Sequence, residues 1–105
     1  SSAERSLEAG ELDKAFGLVM RALERDSKAP RAWDLRARWA AAAGERDEEV
    51  YARHKELRLM EVQKAPAAAV KAKREALLAL DPVAKDVLGM RARFIEELTA
   101  VAQAY

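Results

Sequence analysis

The side chains able to do chemistry in this 105-residue chain are few and dispersed. Its single histidine, His54, is flanked by Arg53 and Lys55. A general base needs an acid partner and a pocket, and a metal-bound imidazole needs further ligands on its own face. Neither constellation is visible around His54, so a surface or half-buried structural role is expected. The carboxylates Asp47, Glu48 and Glu49 lack the loop of alternating oxygen ligands with a central glycine that calcium requires. At the start of a helix they complement the positive end of its dipole, which is sufficient reason for them. Ser1, Ser2, Ser6 and Ser27 sit in no nucleophile-elbow motif and have no histidine nearby. Only four glycines occur, and none build a phosphate-cradling loop. The expectation is a chain that is not an enzyme, with no catalytic residues, no cofactor and no metal site.

The charged residues are better candidates for recognition. Lys71, Lys73 and Arg74, with Arg53, Lys55 and Arg58 before them, would make a basic patch for an acidic partner; the interleaved Glu56, Glu61 and Glu75 favour a solvated helix face instead. A net charge of +1 lacks the excess with which a domain neutralises many phosphates, so nucleic acid is disfavoured. The absence of cysteine removes disulfides and thiolate metal sites and leaves the redox compartment open. No apolar run approaches the ~20 residues that span a bilayer, and no basic-then-apolar signal pattern opens the sequence. No membrane association is expected, and a soluble, cytoplasmic protein is.

Positioning these residues falls to helices. Half of the chain is hydrophobic but alanine dominates that half, and isoleucine and threonine occur once each, at Ile95 and Thr99, so the composition favours helix over strand. A Gly-Glu pair at Gly10-Glu11 returns at Gly44-Glu45, an offset of 34 residues, which is a period of stacked helix pairs. Ser1 to Ala9 holds one large apolar residue, Leu7, and reads as the tail of a helix. After Gly10, the residues Leu12, Ala15, Phe16, Val19, Ala22 and Leu23 form one apolar stripe at three- and four-residue spacing. Asp26 or Ser27 is expected to cap the next helix, with Pro30 in its first turn. That helix, Pro30 to Ala43, carries Trp33, Ala37, Ala40 and Ala41 on one side and points Leu35 and Trp39 elsewhere, so it needs neighbours on two sides. Gly44 closes it. A helix from Asp47 to Gln63 follows with Val50, Leu57 and Met60 on a stripe that Arg53 interrupts, and is expected to be long and less firmly packed. Lys64-Ala65-Pro66 ends it. Ala67 to Leu80 then places Ala69, Val70, Lys73, Ala76, Leu77 and Leu80 on one face.

Asp81-Pro82 opens the last expected helix, running to about Ala104, with Val87, Met90, Phe94, Leu98, Val101 and Tyr105 in a stripe that Ile95 and Ala102 widen. It serves either as a cap over the preceding pair or as the start of another repeat.

Between Leu7 and Leu57, about half of the chain, the sequence resembles a tetratricopeptide repeat. The resemblance rests on Gly10, Leu12, Ala15, Val19, Ala22 and Leu23, then on Trp33, Ala37, Ala40 and Gly44. It departs from the family pattern at Ser27, where proline is usual, at Arg36, where leucine is usual, and at Glu49, where the second helix normally has a small alanine. The second repeat is therefore degenerate in its second helix. The resemblance implies an all-α domain of antiparallel helix hairpins stacked as a short solenoid, with repeats over about 1–63 and a degenerate hairpin or cap over 67–105. It also implies a full first helix before Gly10, so the sequence is expected to be a fragment of a longer chain.

Members of that family bind an extended peptide or a partner helix on a concave face lined by the first helix of each repeat. Carried onto this sequence, Arg31, Asp34, Arg38, Ala41 and Ala42 would face the groove, joined by Glu4, Leu7 and Glu8. Arg31 and Arg38 are able to grip carboxylates with two-pronged geometry; alternatively Asp34, four residues before Arg38, forms with the two arginines a surface ion-pair set. The chaperone-tail clamp of the family uses asparagine, and this chain has none. The expected function is a non-catalytic scaffold for a protein or peptide partner. The alternative is a structural or dimerisation module supporting a neighbouring domain, with a homodimer burying Phe94, Ile95 or Trp39.

Overall fold

The computed structural model describes residues 1–82, and these are all-α: five helices, α1 (Ser2–Glu8), α2 (Leu12–Arg25), α3 (Pro30–Ala43), α4 (Arg46–Val62) and α5 (Ala67–Leu80), with no strand among them. The expected last helix and its stripe lie outside the described residues. No helix among the described residues is long and apolar enough to cross a membrane.

Two glycines set where helices stop. Gly10 has φ +75° and Gly44 φ +74°, left-handed values that side chains with a Cβ adopt at a cost. Around each, the same pair of hydrogen bonds closes the helix. Gly10 N donates to Leu7 O at 3.1 Å and Glu11 N to Ser6 O at 2.9 Å; Gly44 N donates to Ala41 O at 3.2 Å and Glu45 N to Ala40 O at 2.8 Å. The repeated Gly-Glu pair of the sequence is thus a repeated helix ending. A third ending of the same kind occurs at Lys64, φ +57°, where Lys64 N meets Glu61 O at 3.1 Å and Ala65 N meets Met60 O at 2.9 Å. The left-handed turn comes before Pro66, which caps α5 instead of ending α4.

The start of α3 differs from expectation. Ala29 is its N-cap and supplies no side-chain acceptor, while Asp26 Oδ1 accepts from Lys28 N at 3.0 Å inside the turn. Asp26 therefore shapes the connection, and Pro30 at the first position removes one amide that would otherwise need a partner.

Helix α3 is the centre of the packing, touching α1, α2 and α4. Its Ala32, Ala37 and Ala40 are buried, as are Ala3 and Ser6 of α1, Ala15 and Val19 of α2, Ala52 and Leu57 of α4, and Leu77 of α5. Small side chains at these places let helix backbones approach closely, and substituents larger than alanine would have to force them apart. Ala3 and Ser6 anchor α1 where the sequence offered only Leu7; they stand 34 residues before Ala37 and Ala40, the equivalent positions of α3. Leu35 joins Ala3 and Val19 in one apolar cluster, with Leu7, Leu18, Leu23 and Trp39 packed against it. Each tryptophan ties α3 to the chain before it: Trp39 Nε1 donates to Leu12 O at 3.1 Å, and Trp33 Nε1 to Ser27 O at 2.8 Å. On α5 only Leu77 of the expected apolar face is buried, and Ala69 and Ala76 are exposed.

The glycine endings make a paired test. No atom lies within 4 Å of a Cβ built at Gly10, Gly44 or Gly17, so space does not distinguish them, but Gly17 lies inside α2 without a positive φ. Gly44→Ala is expected to lower stability by about 1 kcal/mol, whereas Gly17→Ala raises it by about 0.5–1 kcal/mol. Lys64→Gly, which relieves a left-handed lysine, raises it by up to about 1 kcal/mol. Urea unfolding followed by circular dichroism measures all three, and equal effects of the two alanine substitutions would contradict the assignment.

Candidate interaction face

Arg31, Asp34 and Arg38 lie on successive turns of α3, and the structure gathers Glu4 of α1 beside them. Arg31 Nη2 donates to Glu4 Oε1 at 2.8 Å, and Arg38 Nη2 forms an ion pair with Asp34 Oδ2 at 3.0 Å, with Arg38 Nη1 3.9 Å from Glu4 Oε2. The ion-pair set expected within one helix therefore reaches a second one. Ala41 and Ala42 are exposed farther along α3, and Glu8 is exposed on α1. Leu7 differs: it is half-buried and packs against the apolar cluster of Ala3, Val19 and Leu35.

Beneath these groups the set continues into α4 and α5. Arg53 Nη1 donates to Asp34 Oδ1 at 2.6 Å and to Glu56 Oε1 at 2.9 Å, while Lys73 Nζ lies 2.9 Å from Glu56 Oε2 and 3.5 Å from Asp34 Oδ1. Glu56 is buried, which a carboxylate tolerates only with compensating partners. Arg53, which interrupts the apolar stripe of α4, is thus directed inward to two acids. Far from being loosely held, α4 packs on α3 more extensively than any other described pair of helices pack together.

The charges move the ionisation of their neighbours. Burial pushes the Asp34 carboxyl upward, but the Arg53 hydrogen bond and the charges of Lys73, Arg38 and Arg53 outweigh it and lower its pKa. Burial likewise opposes the charged form of Arg53, and its hydrogen bonds to Asp34 and Glu56 reverse the effect, leaving it raised. At the rim, the Arg31 hydrogen bond holds Glu4 below its ordinary value.

The sequence signal for the inner part was a sign pattern. Arg53 and Lys73 each fall in an otherwise apolar register of their helix: Arg53 meets Asp34 across the α3–α4 interface and Glu56 on its own helix, and Lys73 meets both acids from α5. The basic patch considered from sequence is divided by this arrangement: Arg53 and Lys73 turn to the inner acids, Arg74 Nη2 pairs with Glu61 Oε1 at 3.3 Å, and Lys55 Nζ lies 5.7 Å from the centre of the Tyr51 ring.

Arg36 has its own setting. Its guanidinium lies 5.1 Å from the ring centres of both Phe16 and Trp39 and donates to Glu48 Oε2 at 2.9 Å. The two rings themselves are tilted, with centroids 4.7 Å apart. A cation thus stands among aromatics, and Glu48 of the acidic first turn of α4 balances it.

No group of three or more His, Asp or Glu side chains among the described residues is arranged to hold a metal ion. His54 is half-buried on α4. An open depression of about 450 Å³ lies between α1 and α2, where Ser2 and Ser6 stand near Arg5, Glu11 and Lys14. No histidine lines it.

Asp34 gives the site a pH signature. Its pKa is lower folded than unfolded, so its contribution is complete above the ordinary carboxylate range and is lost as the pH falls through the lowered folded value. Asp34→Asn is expected to cost about 2–4 kcal/mol at pH 7 by leaving Arg53 and Lys73 undercompensated, and the gap from the parent protein narrows on acidification. Urea titrations at pH 7, 5 and 3 measure this, and a gap that stays constant with pH would contradict the role given to Asp34. Comparison of the chain with protein family models, with curated proteins and with solved structures returns no match.

Proposed function

We propose that this domain is a non-catalytic protein-interaction scaffold of tetratricopeptide-like helix pairs, which takes a peptide or partner segment along the face shared by α1 and α3. The observation that carries the proposal is the gathering of Arg31, Asp34 and Arg38 with Glu4 at the surface of two helices. Further support comes from the matching helix endings 34 residues apart at Gly10 and Gly44, and from the contact of α1 with α3 as well as with α2. Stacked helix pairs repeat one surface at intervals, and an extended ligand follows such a row. Exposed Ala41, Ala42 and Glu8 extend the face, and the short alanine side chains leave room for a ligand backbone.

A structural module is the competing reading, and one observation favours it: Glu4, Asp34 and Glu56 each already have a cationic partner within the chain. Panning a random peptide library against the domain and against its Arg31→Glu/Arg38→Glu variant separates the two. A scaffold enriches peptides that bind with Kd on the order of 1–100 μM and weaken at least tenfold on the variant, a loss of ~1.4 kcal/mol. No enrichment, or enriched peptides that bind both proteins equally, would contradict the scaffold.

A further inference from the structure

Exposure sorts the ionic network by sign. Two carboxylates lie deep, Glu56 with a side-chain exposure of 3% and Asp34 with 15%, while Glu4 at 31% lies at the rim. Three of the cations are more exposed: Arg31 at 75%, Arg38 at 51% and Lys73 at 36%. Only Arg53, at 22%, is a deep cation. Asp34 and Glu56 thus act as a floor beneath Arg38 and Lys73, and Glu4 holds Arg31 at the rim.

The two outer arginines also keep hydrogen-bonding capacity. A guanidinium has five N–H donors and cannot lose its charge at physiological pH. Arg31 engages Glu4 through Nη2 at 2.8 Å, and Arg38 engages Asp34 through Nη2 at 3.0 Å. Each therefore has further donors for an incoming acceptor. Their positions on α3 differ by seven residues, two turns, which separates their Cα atoms by ~10.5 Å. A polyproline II segment returns to the same side every third residue, after ~9 Å. Acidic side chains three apart on such a segment match the two arginines.

Resting on the scaffold reading above, we infer that the partner is an acidic extended segment, with carboxylates at positions i and i+3 directed at Arg31 and Arg38. The alternative charges fit worse. A basic segment would meet Arg31 and Arg38 before it reached Asp34 or Glu56. A neutral one would leave the arginines' outer donors to water.

The test uses two fluorescein-labelled twelve-residue peptides of proline-rich sequence, one with Glu at i and i+3 and its isostere with Gln at both positions. Binding is read by fluorescence anisotropy. The acidic peptide is expected to bind at least tenfold more tightly than the Gln peptide in 50 mM salt, and to lose most of that advantage at 500 mM, as screening requires. Arg31→Ala/Arg38→Ala abolishes the difference, and circular dichroism checks that this variant, altered at two exposed positions, retains its helices. Equal binding of the two peptides, sensitive to the arginine substitutions, overturns the charge assignment and leaves the scaffold reading standing. Acidic-peptide binding untouched by those substitutions, or no saturable binding of either peptide up to 1 mM, overturns the inference itself.

Discussion

Two carboxylates set the terms for the centre of this domain. Asp34 on α3 and Glu56 on α4 are turned toward the junction of three helices, where an unpaired charge would be strongly unfavourable. Arg53 and Lys73 answer them from α4 and α5. The arrangement has directional consequences. Helix α5 buries only Leu77 among its apolar residues, so its attachment draws on Lys73 at Glu56 and Asp34, on Arg74 at Glu61, and on the 2.6 Å hydrogen bond from Arg46 Nη2 to Leu80 O. Removing one member of such a set leaves the others undercompensated, which is why its parts are expected to act together.

Around that junction the helices meet through small residues. Ala37 and Ala40 on α3, Ala15 on α2, Ala52 on α4 and Ala3 on α1 are buried, and the only fully buried larger side chains among the described residues are Val19 and Leu77. A core of this kind gains less from apolar area than from close contact, and it depends on helix ends that aim each helix correctly. Gly10 and Gly44 provide two such ends with nearly equal φ and identical hydrogen-bond patterns. Arg36 shows how a cation is accommodated between helices: its guanidinium lies beside the Phe16 and Trp39 rings, while Glu48 pairs with its charge.

Much of the helical layout is legible from local chemistry. The Gly-Glu repeat marks the ends of α1 and α3, the spacing of Ala15 and Val19 marks the inner side of α2, and Pro30 marks the start of α3. Arg31, Asp34 and Arg38 share one helix face by spacing alone. Interactions between helices are less legible. In the sequence Arg53 is a defect in an apolar stripe, because its acids lie 19 residues earlier in Asp34 and three later in Glu56. Lys73 falls on the apolar register of α5 for the same reason. The left-handed Lys64 also escapes local reasoning, since lysine has no preference for that conformation and the following proline offers a simpler explanation for the break. Asp26 has the chemistry of a cap, yet its acceptor is taken up within the turn.

The most direct measurement of this account is a double-mutant cycle on Glu56 and Lys73, using Glu56→Gln, Lys73→Met and the double variant, with stability from urea unfolding at low salt. A coupling of about 1–3 kcal/mol that shrinks as salt is raised is the predicted result. Additive single effects, with no coupling at any salt concentration, would contradict the claim that paired buried charge joins these helices.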